Sequence, residues 1–169
     1  MGLLYDLDAL NRFCKLQDPA SIVEFHAHHA MLLEPAKLEQ TYFVIFENYP
    51  ELLERFTKMG LGYTGLYDGQ IMCCFGIIPL WRGSAEIWMV PSKHLYQVAR
   101  PFHRATKLWL DVCIAEWHLV RVQATVHSQN APADKWIRTC HFQEEGLLRR
   151  YGPEGADYKM FSRLGEKKK

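Results

Sequence analysis

Two tight turns fix the middle of this chain. Asp68-Gly69 and Arg82-Gly83 each separate apolar runs rich in β-branched and aromatic residues, and an Asp-Gly pair so flanked is a strong hairpin signal. They predict strands over 62–67, 70–80 and 85–90, joined as an antiparallel meander because connections this short cannot cross a sheet. Pro91 ends the run.

The flanks read as further elements. A strand is expected over 11–16, then a helix over 21–33, capped by Asp18, opened by Pro19 and stopped by Pro35. Its apolar face is Ile22, Phe25, His29 and Leu32 or Leu33. A second helical stretch runs over 38–59, with Asn48-Tyr49-Pro50-Glu51 as a break. After the meander, Pro101 opens a helix to about 118, where Phe102, Ala105, Leu108, Trp109 and Val112 are spaced by three and four. A buried strand follows over 119–126. Asn130 caps a helix to about 140, and strands over 143–151 and 157–163 flank the Gly152-Pro153-Glu154-Gly155 turn.

Composition narrows the class. The 22 aromatics among 169 residues demand a packed core and exclude a disordered chain. Twenty basic against nineteen acidic side chains leave a net charge of +1, so no global field selects nucleic acid or an anionic membrane. The five cysteines, at 14, 73, 74, 113 and 140, form neither a disulfide framework nor a C-x-x-C pair. They read as reduced, buried thiols, consistent with a cytoplasmic protein. No run approaches the roughly 20 apolar residues a membrane span needs.

The order β, α, α, β, β, β, α, β, α, β, β leads to a set of residues with family character. Val126, Asn130, Ala133, Phe142, Glu145-Gly146, Arg149 and Tyr151 resemble the second half of the GNAT acetyltransferase superfamily. The resemblance spans residues 11–164 and implies an α/β (α+β) fold, a central mixed, mostly antiparallel sheet of about seven strands flanked by helices. It makes 1–164 a single domain and 165–169 a basic solvated tail. It also implies acetyl-CoA as acyl donor and an amine as acceptor, a small molecule or a protein N-terminus or lysine. A narrower likeness, in Glu86 to Ser92, the loop after it and the basic helix 101–118, is to GNAT-fold proteins of short-tailed bacteriophages. That likeness carries an alternative of another class: a non-catalytic, internal or ejected virion protein whose partners are virion proteins or a second copy of the chain.

Candidate site residues follow from the resemblance. In the strand 85–90, Glu86 stands where some members place a base that deprotonates the amine through water, and alternation puts it on a face with Trp88 and Val90. The amides of Met89 and Val90 would hold the thioester carbonyl. The next loop, 92–101, would hold the coenzyme diphosphate, but it has no glycine, where close approach of backbone to phosphate favours one. Ala99 is the small residue there, and Lys93, His94, Arg100 and Arg104 supply positive charge. Asn130 would meet the pantetheine arm as well as cap its helix. Ile137 and Ala133 occupy positions where members carry a tyrosine or serine acid, so the thiolate would be protonated by water or by Tyr151. His26, His28 and His29 cluster, yet no carboxylate or cysteine stands at ligand spacing, so no metal site is expected.

Overall fold

A computed structural model describes residues 2–165 of the chain; the remainder of the expected basic tail lies outside the described residues. The meander forms as expected: β2 (Leu61–Tyr67), β3 (Gln70–Trp81) and β4 (Ser84–Pro91) pair antiparallel in sequence order. At the first turn Asp68 and Gly69 both have positive φ, 50° and 72°, the combination a two-residue hairpin matched to strand twist requires.

The N-terminal flank differs from expectation. Residues 7–13 form a helix, α1 (Leu7–Phe13), whose first turn is capped by Asp6 accepting from the Ala9 amide at 2.9 Å. The first strand is β1 (Ala20–Glu24), not the expected helix, and Asp18-Pro19 is a cis peptide in the turn before it. Ala20 and Ile22 are buried in β1 by period-two alternation, and the spacing of Ile22 to Phe25 imitates a helical step because Phe25 follows the strand. Asn11 ties the two elements: its side-chain amide donates to the Leu7 and Ile22 carbonyls and its oxygen accepts from the Ile22 amide, all within 2.8 Å. That covers backbone groups on an edge strand that water would otherwise serve. The remaining early helices are α2 (Ala27–Leu32), α3 (Gln40–Ile45) and α4 (Tyr49–Met59), with Pro50 in the first turn of α4.

The second half follows the reading closely, as α5 (Ala99–Glu116), β5 (Arg121–His127), α6 (Ala131–Thr139), β6 (Gln143–Leu148) and β7 (Tyr158–Leu164). The seven strands form one sheet in the order β1-β2-β3-β4-β5-β7-β6. Among the described residues only β4 and β5 run parallel.

Each face of the sheet has its own core. On one, α1, α5 and α6 bury Leu10, Trp109, Leu110, Ile137 and Phe142 against Phe75, Val122 and Phe161. Trp109 meets Phe75 and Tyr63 edge-on, at ring separations of 5.2 and 6.0 Å, a favoured aromatic geometry. On the other face, α2 and α4 bury Ala30, Tyr49 and Leu53 against Phe25, Cys74 and Val90. All five cysteines are free and buried.

Candidate functional site

The central feature of the sheet is a gap. β4 and β5 pair only at Ser84/Arg121, Ala85/Val122 and Glu86/Gln123, although β4 continues to Pro91 and β5 to His127. Beyond Glu86 the strands no longer pair, leaving a V-shaped opening whose foot is closed by a bond from Gln123 Nε2 to Glu86 Oε2, 2.8 Å.

Backbone direction in β4 follows from its other neighbour. The β3–β4 register is regular from Pro79/Ala85 to Cys73/Pro91, and the Ser92 amide continues it by donating to the Met72 carbonyl at 2.8 Å. Antiparallel ladders alternate, so Glu86, Trp88 and Val90 turn their peptide groups to β3 while Ile87 and Met89 turn theirs into the opening. Of the two amides expected to meet a thioester carbonyl, that of Met89 faces the gap and that of Val90 belongs to the sheet. The far end is closed by residues 34–36: the Ala36 amide donates to the Pro91 carbonyl and the Lys93 amide to the Glu34 carbonyl, both at 2.9 Å.

The two faces of the opening differ. Val122, Ala124 and Val126 join the α5-side core, with Ile87 and Met89 packed against it. By alternation Glu86, Arg121, Gln123, Thr125 and His127 stand on the opposite face, the one that carries α2, α3 and α4. There Tyr151 lies beside the Thr125 hydroxyl, with Glu86 within electrostatic reach; burial first, then that carboxylate, raises the Tyr151 phenol above its ordinary value. Tyr158 stacks edge-on against Tyr151 and His127, at 5.7 and 5.2 Å, and its hydroxyl hydrogen-bonds that of Tyr42 on α3. Sequence reasoning missed Gln123, Thr125 and His127, although their alternation with buried Val122, Ala124 and Val126 marks them. It also missed Tyr42 and Tyr158, for which no local signal exists.

The loop after β4 is a short helical turn, Leu95–Val98, leading into α5. Its expected charges are partly engaged. Lys93 pairs with Glu34, and His94 Nε2 lies 3.4 Å from the same carboxylate. Arg104 donates to the Lys15 carbonyl at 2.6 Å. Ala99 opens α5 with exposed Arg100 next to it, and no side chain caps that helix end. Asn130 caps α6 as expected, accepting from the Ala133 amide at 3.1 Å.

The histidines stand around the start of α2. His29 Nδ1 accepts from the His26 amide at 3.3 Å and lies 2.9 Å from the buried Thr64 hydroxyl. Among the described residues no group of three or more His, Cys, Asp or Glu is placed to hold a metal, and no described helix is long and apolar enough to cross a membrane.

Sheet order, a single parallel pair and its splay together define the fold of the GNAT acetyltransferases. Solved structures of that class superpose on this one. A GNAT-family acetyltransferase from Bacillus anthracis superposes with TM-score 0.66 at 13% identity, over 87% of this chain and 95% of its own. Ard1 from Thermoplasma volcanium gives 0.68 at 14%, over 88% and 99%. Microcin C7 self-immunity acetyltransferase MccE, solved in complex with acetyl-CoA and AMP, gives 0.65 at 13%, over 89% and 94%. At such identities the likeness is one of fold. No protein-family model matches the sequence, and no curated protein matches it.

Proposed function

We propose that this protein binds acetyl-CoA, or a similar acyl-CoA, in the opening between β4 and β5 and transfers the acyl group to an amine. The observation that supports this most is the splay itself, with the Met89 N–H turned into it. An unpaired strand edge inside a sheet exposes obligatory hydrogen-bonding groups, and an extended amide-bearing arm such as pantetheine satisfies them in the manner of an added strand. An acyl carbonyl meeting the Met89 amide is polarised for attack.

The residues present fit the donor unevenly. Asn130 lies at the end of β5, and the first turn of α5 offers the Ala99 and Arg100 amides with the Arg100 charge, which suits an anion. Lys93 and His94 reach a diphosphate only by leaving Glu34. The acceptor amine enters from the face carrying Glu86, Thr125 and Tyr151. Its nitrogen, as the free amine, attacks the thioester carbon, the C–S bond breaks, the nitrogen passes its surplus proton to Glu86 or water, and the departing thiolate takes one from Tyr151 or water.

Thermal shift and calorimetry with acetyl-CoA and coenzyme A test the donor site. Saturable binding is expected, and the absence of any shift at millimolar ligand overturns the reading. Thiol release with a panel of amines then tests turnover in wild type and Glu86→Gln; an unchanged rate in the variant removes Glu86 from the reaction.

A further inference from the structure

We propose that Glu145, Arg121 and Gln123 form a positioning relay for the Glu86 carboxylate, holding one of its oxygens and leaving the other to take the proton shed by the acceptor amine. The inference rests on the acyl-transfer reading above.

The relay crosses from β4 to β6. Gln123 Nε2 donates to Glu86 Oε2 at 2.8 Å, from β5 to β4. Arg121, two residues earlier on β5 and so on the same face, donates from Nε to Gln123 Oε1 at 3.1 Å. Its Nη1 and Nη2 grip both oxygens of Glu145 on β6, and Ser162 on β7 donates to one of them. Because β7 lies between β5 and β6, Glu145 reaches across it. It does so from an irregularity in the β6–β7 register, which shifts between Glu144 and Gly146. A bulge re-aims a side chain, and bulges recur beside functional sites.

The chemistry gives this chain of bonds one direction. A guanidinium only donates, so Gln123 turns its oxygen to Arg121 and its NH₂ group to β4. A carboxylate ready to take a proton only accepts, and the NH₂ group suits it. Without Arg121 the Gln123 amide is free to turn over and present its oxygen to Glu86, which repels it. The guanidinium is a rigid plane, so the grip on Glu145 also sets the direction of Nε–H. Bonds in series polarise one another, and Arg121 thereby strengthens the donation from Gln123. The anchor is firm: Ser162 is buried, and Arg121 first, then Ser162, hold the Glu145 carboxyl down at about 2.

The result is a carboxylate with one oxygen held and one open. Among the described residues Glu86 Oε1 has no hydrogen-bond partner, and Glu86 is the last residue of β4 paired to β5 before the strands part. Oε1 is therefore the oxygen that meets the nitrogen, directly or through one water. As the C–N bond forms and the C–S bond breaks, the surplus N–H proton passes to it.

The link is read first without an acceptor. In ¹⁵N-labelled protein, one proton of the Gln123 side-chain amide should lie downfield and exchange slowly with water. It should move upfield in Arg121→Lys, whose ammonium still meets Glu145 but offers no Nε; an unmoved resonance overturns the relay. Rates are then followed as thiol release from acetyl-CoA, with n-butylamine, an alanine-headed tetrapeptide and Nα-acetyl-lysine amide as acceptors. The fastest serves for every variant, and calorimetry gives the acetyl-CoA affinity of each. Gln123→Glu keeps the shape and the bond from Arg121 but cannot donate to Glu86. It should keep the acetyl-CoA affinity and the KM for the amine and lose up to about 100-fold in kcat. Arg121→Lys should lose less, again in kcat. The double variant Glu86→Gln/Gln123→Glu again faces a donor with an acceptor; it should regain the melting temperature but not the rate, which separates positioning from stability. Wild-type kcat in Gln123→Glu, or a loss confined to KM, overturns the relay and leaves Glu86 as base. A rate restored in the double variant also overturns the relay. Wild-type rate in Glu86→Gln overturns base and relay together, as does acetyl-CoA binding without thiol release on any acceptor, with the donor site left standing. Absence of acetyl-CoA binding overturns the acyl-transfer reading itself. Should Gln123→Glu not fold, Arg121→Lys carries the test by resonance and kcat.

Discussion

Glu39 and Glu145 are the same side chain driven in opposite directions. Burial without a partner raises Glu39 to about 7, whereas the Arg121 guanidinium and then the Ser162 hydroxyl hold Glu145 down at about 2. Arg121 grips both Glu145 oxygens, at 2.8 and 2.7 Å, and Ser162 Oγ donates to one at 2.5 Å. The consequences for stability have opposite sign. Glu39 favours the folded state fully only below its unfolded value, and that contribution is lost as pH rises through about 7. Glu39→Gln should therefore melt above wild type at about pH 8.5 and level with it only at about pH 3.5. Glu145 contributes above its unfolded value and loses that contribution as pH falls toward about 2. Glu145→Gln should remove the acid-side loss, seen as a smaller fall in melting temperature between about pH 6 and about pH 3. Neither residue is distinctive in sequence. Glu145 belongs to a recognisable Glu-Gly pair, but its partners arrive from β5 and β7.

Among the elements, β4 and the loop that follows decide whether a donor is held. The loop lacks glycine, and its two nearest charges are shared with Glu34, which reaches them because residues 34–36 dock on the end of β4. Glu34→Gln frees Lys93 and His94, and the expected result is tighter binding of coenzyme A by about two- to fivefold, with pantetheine unaffected. The gain should fade at high ionic strength, since the groups are exposed. Calorimetry with both ligands at two salt concentrations checks this. The elements themselves were unevenly legible. The meander, α5 and α6 carry their own turns and caps, so local sequence suffices. In 7–33 it did not: Asp6 as a cap was overlooked, and Ile22 to Phe25 spans a strand and the residue after it, which mimics helical spacing.

At the scale of the molecule, the two halves meet across the opening. Tyr42 and Tyr158 join α3 to β7, and the foot of the gap is held by Glu86 and Gln123. Tyr42→Phe should cost about 1 kcal/mol of stability in denaturant unfolding, because the Tyr158 hydroxyl loses its partner. Trp109→Ala should cost about 3–5 kcal/mol in denaturant unfolding, since it removes the ring against which Phe75 and Tyr63 pack. What the sequence determined by itself was the order of most elements, the burial of the cysteines and the balance of charge, because turn chemistry, capping and periodicity act over a few residues. The place where β4 and β5 part, the side of β4 on which each amide points, and the meeting of Glu39 with Tyr42, Tyr49 and Tyr158 from three elements were decided by tertiary structure alone. They depend on pairing register and on contacts between residues as far apart as Tyr42 and Tyr158, for which no local pattern in the chain is required.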